Sequence, residues 1–159
     1  MPVVIISFIV IMLVEKKKNK RTILWIMISI WMAGLLYLMF LYRLPGGRKR
    51  LLTDFFHMYR DATQWSGSIT TNQALRQVAF NILLFLPFGG VVYSLSRKVW
   101  LTVTIGLGLS VVMEALQYWT GLGWADVDDV ISNTIGLIVG ALLIKITYFM
   151  IKSKNGEHI

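Results

Sequence analysis

Long uncharged stretches alternate with short charged ones along the chain, and that alternation predicts its elements. The stretch TILWIMISIWMAGLLYLMFLY (22–42) carries no charge. QVAFNILLFLPFGGVVYSLS (77–96) is also uncharged, although it holds Asn81 and a Pro-Phe-Gly-Gly break at 87–90. Residues 99–119 contain a single charge, Glu114, and 127–151 open on Asp128 and Asp129 with Lys145 near the far end. A transmembrane helix needs about 20 apolar residues, so each of these four runs predicts one span.

The first stretch, MPVVIISFIVIMLV, is shorter. As a helix it reaches roughly 21 Å, less than a ~30 Å hydrocarbon core. Its charges follow the apolar run as EKKKNKR, the reverse of a signal peptide, and no small-residue cleavage site is present. The expectation is therefore an all-α integral membrane protein: a small bundle of four transmembrane helices plus a short N-terminal membrane helix. All of it forms one membrane domain over 1–159, and 45–76 is the sizeable extramembrane loop. In that loop LLTDFFHMYRDATQW (51–65) mixes aromatic and charged residues, which suits an amphipathic helix on the membrane surface. His57 reads there as an interfacial residue rather than a catalyst.

Composition agrees and narrows the partners. A hydrophobic fraction of 56% and a mean hydropathy of +0.65 over 159 residues exceed what an ordinary soluble domain carries. The net charge of +8 would suggest nucleic acid in a soluble protein. Here Lys and Arg cluster between apolar segments, so they anchor at lipid headgroups, and the expected partner is the bilayer, not nucleic acid. With no Cys, disulfides and thiolate metal sites are excluded.

The basic residues also predict orientation. EKKKNKR (15–21), the turn SRK (96–98) and the tail KSKNGEHI share one side if the four spans alternate from residue 22. The positive-inside rule makes that side cytoplasmic. Loops 45–76 and 120–126 then lie outside, although GGRKR (46–50) in the first of them runs against the rule.

Polar residues inside the spans carry the candidate chemistry. Asn81, Glu114 and Asn133 each lie four to six residues inside the outer ends of their helices, roughly 6–9 Å deep at 1.5 Å per residue. Glu114 and Gln117 share a helix face that continues through Ser110 and Gly106. Asp129, Asn133, Gly136 and Gly140 form a second stripe, and the Gly136/Gly140 pair is a helix-packing signal in membranes. The two stripes predict polar faces turned toward each other. Plainer readings exist for each. Asp126, Asp128 and Asp129 stand at a helix start, where aspartate caps free N–H groups and suits the dipole. Asn81 and Asn133 can serve as interhelical hydrogen-bond partners. Pro87 can simply kink its helix, with neighbours satisfying the freed backbone. Glu114 is the hardest to explain so, since a carboxylate at this depth costs on the order of 2.5–3.5 kcal/mol and such groups usually face a bundle interior.

NILLFLPFGG (81–90), EALQ (114–117) and ADVDDVISNTIGLIVG (125–140), in that order and spacing, resemble the VanZ-like membrane protein family. The likeness spans roughly 77–145. The family pattern falls on Asn81, Phe85, Pro87, Phe88 and Gly89, then on Glu114 and Gln117, then on Asp126, Asp129, Asn133 and Gly136. The first loop lacks the Asn-Leu-x-Pro-Phe element of many members. The resemblance implies a multi-pass protein of the bacterial cytoplasmic membrane, related to one that lowers susceptibility to the lipoglycopeptide teicoplanin. It implies no particular reaction.

The leading functional expectation is therefore a cell-envelope protein whose outward polar cluster (Asn81, Glu114, Gln117, Asp126, Asp129, Asn133) engages a lipoglycopeptide or a lipid-linked cell-wall precursor. Pro87, Gly89, Gly136 and Gly140 shape and pack the helices around it. The rival is a metal-dependent enzyme acting on a lipid-linked phosphate, because the carboxylates and amides offer hard oxygen ligands suited to Mg²⁺ or Ca²⁺. No Ser/His or Cys/His arrangement suggests a nucleophile, and no cofactor is expected. A channel is disfavoured because no span repeats a polar face. A last alternative makes the cluster a lock between helices and nothing more.

Overall fold

The computed structural model describes residues 2–14, 17–40, 51–54, 71–121 and 125–154. Its elements run α1 (Pro2–Val14), α2 (Lys20–Phe40), β1 (Leu51–Leu52), α3 (Thr71–Ser96), α4 (Val99–Thr120), β2 (Ala125–Asp126) and α5 (Val127–Lys154). α2, α3, α4 and α5 are each long and apolar enough to cross a membrane, and α1 is a shorter apolar helix. Large apolar side chains point outward from them, including Ile30, Trp100, Trp119 and Met150 at 64–75% exposure. A soluble protein rarely shows so much apolar surface, whereas lipid covers it without cost. The chain is a multi-pass α-helical membrane protein, as its alternating pattern predicts.

α3 and α5 form the centre of the bundle because glycine lets their backbones meet. A Cβ at Gly136 would run into the Ile82 carbonyl, one at Gly140 into the Leu86 carbonyl, and one at Gly89 into the backbone of Leu137. Steps of four residues on one helix match steps of four on the other in the same sense, so α3 and α5 run parallel. α4 returns between them in sequence and runs antiparallel, with Gly106 against the Leu137 side chain and Ser110 bonded to Asn133. α1 lies along α3, its Ile11 fully buried near Gly90.

Two apolar clusters fill the interior. One gathers Ile11, Val14, Leu24, Val91, Tyr93, Ala141 and Ile144 where α1, α2, α3 and α5 meet. The other gathers Leu35, Phe85, Phe88, Val92, Met113 and Leu137 in the middle of the bundle. Between α3 and α4 the chain reverses over Arg97 and Lys98. Arg97 takes a left-handed φ of 57°, and its guanidinium sits 4.1 Å over the Tyr148 ring of α5. This end also holds the basic α1–α2 turn, because α1 and α3 run side by side in the same direction. The starts of α3 and α5 and the end of α4 lie at the opposite, acidic end.

One expectation fails. Leu51 and Leu52, placed at the start of an amphipathic helix, instead form a strand that pairs in parallel with β2, Leu51 beside Ala125 and Leu52 beside Asp126. The extended backbone of 125–126 offers a strand edge to an extended segment, and tertiary pairing overrides the amphipathic pattern there. Residues 55–65, with His57, lie outside the described residues, as do GGRKR and the end of the tail.

Candidate functional site

The acidic end is built by helix starts and one helix finish. α4 stops at Gly121, whose φ of 70° gives a left-handed cap with its N–H on the Tyr118 carbonyl. The chain re-enters at Ala125–Asp126. Asp126 Oδ1 accepts the Asp128 N–H at 2.9 Å, the N-cap bond that an aspartate before a helix makes. Capping therefore accounts for Asp126. Asp128, one residue into α5, is almost fully buried.

Glu114 does not snorkel. It is 7% exposed, and its Oε2 accepts the Asp126 backbone N–H at 2.9 Å. Its carboxylate therefore holds the strand that leads into α5. Gln117, one turn nearer the end of α4, is buried on the same face, where the i,i+3 spacing places it. Ser110 and Gly106 continue that face and are buried too.

Asp129 receives donors from α3. Asn81 Nδ2–H donates to its Oδ1 at 2.6 Å, and Gln77 Nε2–H reaches both carboxylate oxygens at 3.1 and 3.4 Å. Amide donors on a carboxylate make charge-assisted bonds, stronger than neutral ones. One turn deeper in α5, Asn133 Nδ2–H donates to Ser110 Oγ at 2.8 Å. Asn133 is 5% exposed, and its Oδ1 has no hydrogen-bond partner among the described residues. A buried amide oxygen without a partner costs roughly 1–3 kcal/mol.

The six polar residues singled out from the sequence thus sit at one end of the bundle, on buried or half-buried faces. Three contacts tie them into the bundle. Asn81 joins Asp129, Glu114 joins the Asp126 backbone, and Asn133 joins Ser110. Among the described residues, no three of the His, Cys, Asp and Glu side chains gather as a metal-holding group. The carboxylates of Glu114 and Asp126 are turned onto backbone amides, and Asp129 onto side-chain amides.

Gln77 was missed by sequence reasoning. It lies four residues before Asn81 and so on the same helix face, a spacing that could have flagged it. Trp31 was missed as well. Proline at 87 removes a helical N–H, and beside that gap the Trp31 Nε1–H donates to the Leu84 carbonyl at 2.9 Å. The indole stacks on Phe88 at 4.3 Å and meets Phe85 edge-on at 5.2 Å. The aromatic and proline residues of the 81–90 stretch are thus clamped from α2, and nothing local in the sequence signals it.

No curated protein and no solved structure gives a significant match. The sequence model described as VanZ/LLP1 matches residues 3–148, from α1 almost to the end of α5 and well beyond the 77–145 stretch that carries the motifs. By that match the chain belongs to the VanZ/LLP1 family.

Proposed function

We propose that the acidic end faces outward from the bacterial cytoplasmic membrane and lowers susceptibility to lipoglycopeptides such as teicoplanin. The cluster engages the antibiotic or a lipid-linked wall precursor through hydrogen bonds. The observation that carries this reading is the gathering of polar side chains from three helices at one end of the bundle, Gln77 and Asn81 of α3 on Asp129 of α5 and Glu114 of α4 on the Asp126 backbone. The segregation of Lys17, Lys18, Arg97 and Lys98 to the opposite end supports the orientation.

Deleting the gene is expected to raise teicoplanin sensitivity. Glu114→Gln retains an oxygen for the Asp126 N–H but removes the charge, and it is expected to reproduce the deletion at unchanged expression. Unaltered susceptibility in both strains would sink the proposal. The chain has no cysteine, so orientation can be read from single replacements. Thr120→Cys should react with an impermeant maleimide from outside and Lys98→Cys should not; the reverse pattern inverts the site.

A second reading rests on the bond between Glu114 and the Asp126 N–H, in which the polar end only locks helices. It predicts that Glu114→Gln changes susceptibility no more than it changes the amount of folded protein.

A further inference from the structure

A cavity of about 300 Å³ opens between α1, α2 and α3, lined by residues that include Met27, Trp31, Gly34, Leu84, Pro87 and Phe88. That is the small end of the range for ligand pockets, about 300–1,000 Å³. Apart from Ser7 on the α1 side, every lining residue is apolar. The one indole N–H on the wall is spent on the Leu84 carbonyl, so the ring presents only its apolar surface. A water would need two to four polar partners here, and the wall does not supply them.

The mouth faces lipid. Ile30 lines the cavity and is also 68% exposed on the bundle surface. Room is made by a missing side chain: a Cβ on Gly34 would meet nothing within 4 Å. Along α3 the residues Gln77, Asn81, Leu84, Phe88 and Val91 follow steps of four and three and occupy one face. Its upper part bonds Asp129, and its lower part is cavity wall. The stripe is thus polar toward the acidic end and apolar below.

We infer that this cavity seats one acyl chain of a bilayer phospholipid, lying along α3. Lipid tails are as apolar as the wall, so transfer from the bilayer contributes little. The gain is dispersion, because atoms around an unfilled space lack partners on one side. A chain entering through the lipid-facing mouth supplies them. The inference goes beyond the reading of the polar end and holds whether or not antibiotic susceptibility changes.

The intact protein, reconstituted in phosphatidylethanolamine and phosphatidylglycerol vesicles, tests it. A fraction of the phosphatidylglycerol carries a diazirine in one acyl chain, and adducts are mapped by mass spectrometry after irradiation. Adducts are expected to concentrate on 27–35 of α2 and 84–91 of α3, above exposed positions such as Val111 and Val112 of α4. Gly34→Phe fills the space and should cut the adducts on these segments about tenfold, equivalent to about 1.4 kcal/mol. Gly108→Phe, also placed where a Cβ meets nothing but outside the cavity, should leave them unchanged. Labelling spread over α2, α4 and α5 in proportion to exposure overturns the inference, as does labelling that Gly34→Phe does not reduce. If Gly34→Phe fails to fold, the distribution on the unsubstituted protein decides alone.

Discussion

α3 has two flanks, and they are built on opposite principles. Toward α5 it meets glycine: Gly136 and Gly140 bring backbone against the carbonyls of Ile82 and Leu86. Toward α2 it meets aromatics, with Trp31 stacked on Phe88 and hydrogen-bonded to Leu84, and the packing leaves an open cavity. Without a hydrophobic drive between helices in lipid, close backbone approach and interhelical hydrogen bonds supply the association. The glycine flank therefore sets position, and through position it carries Asn81 and Gln77 to Asp129. The aromatic flank holds its register by one ring and can leave space.

That contrast makes ranked predictions. Gly140→Leu should have the largest effect, since its side chain collides with backbone that cannot yield as a side-chain tip could. A loss of about 3 kcal/mol or more, or outright failure to fold, is expected in detergent unfolding monitored by circular dichroism. Stability within error of the parent would show that α3 and α5 can separate freely. Asn81→Ala comes next. It removes the donor 2.6 Å from Asp129 Oδ1 and should cost about 1–2 kcal/mol, read by the same unfolding, while Gln77→Ala should cost less because its bonds are longer.

Trp31→Phe keeps a ring on Phe88 but loses the bond to the Leu84 carbonyl. The expected loss is about 1 kcal/mol, with a fall in α3 protection near Leu84 in hydrogen exchange. Gly34→Ala is the smallest and has the opposite sign. With open space around its Cβ, it should stabilise α2 by about 0.5–1 kcal/mol, since alanine restricts the unfolded chain. Gly136→Ala, the same change on the tight flank, should destabilise. Equal signs at the two positions would erase the distinction between the flanks.

Much of the architecture was legible in the chain. Each span announces itself as a long apolar run with few charges, and the burial of Gly106, Ser110, Glu114 and Gln117 on one face of α4 follows from helical spacing. The cap role of Asp126 was legible as well, because capping is local. The partners of the polar residues were not. Asn81 and Asp129 are 48 residues apart, and Gln77 and Asp129 are 52, so their pairing depends on which helices become neighbours and how each is rotated. The strand at Leu51–Leu52 was hidden for the same reason, since its partner at 125–126 lies far along the chain, beyond α3 and α4.

The sequence by itself determined how many helices can cross a membrane, which of their faces are polar, and that charges gather between the spans. Those follow from periodicity and the cost of moving charge into hydrocarbon, which act residue by residue. Tertiary structure alone decided that Glu114 holds a backbone amide, that Asn133 keeps an open oxygen, and that Gly34 and Trp31 border an apolar cavity. Each of these depends on distances between helices, and in this bundle glycine contacts and a single indole hydrogen bond set those distances.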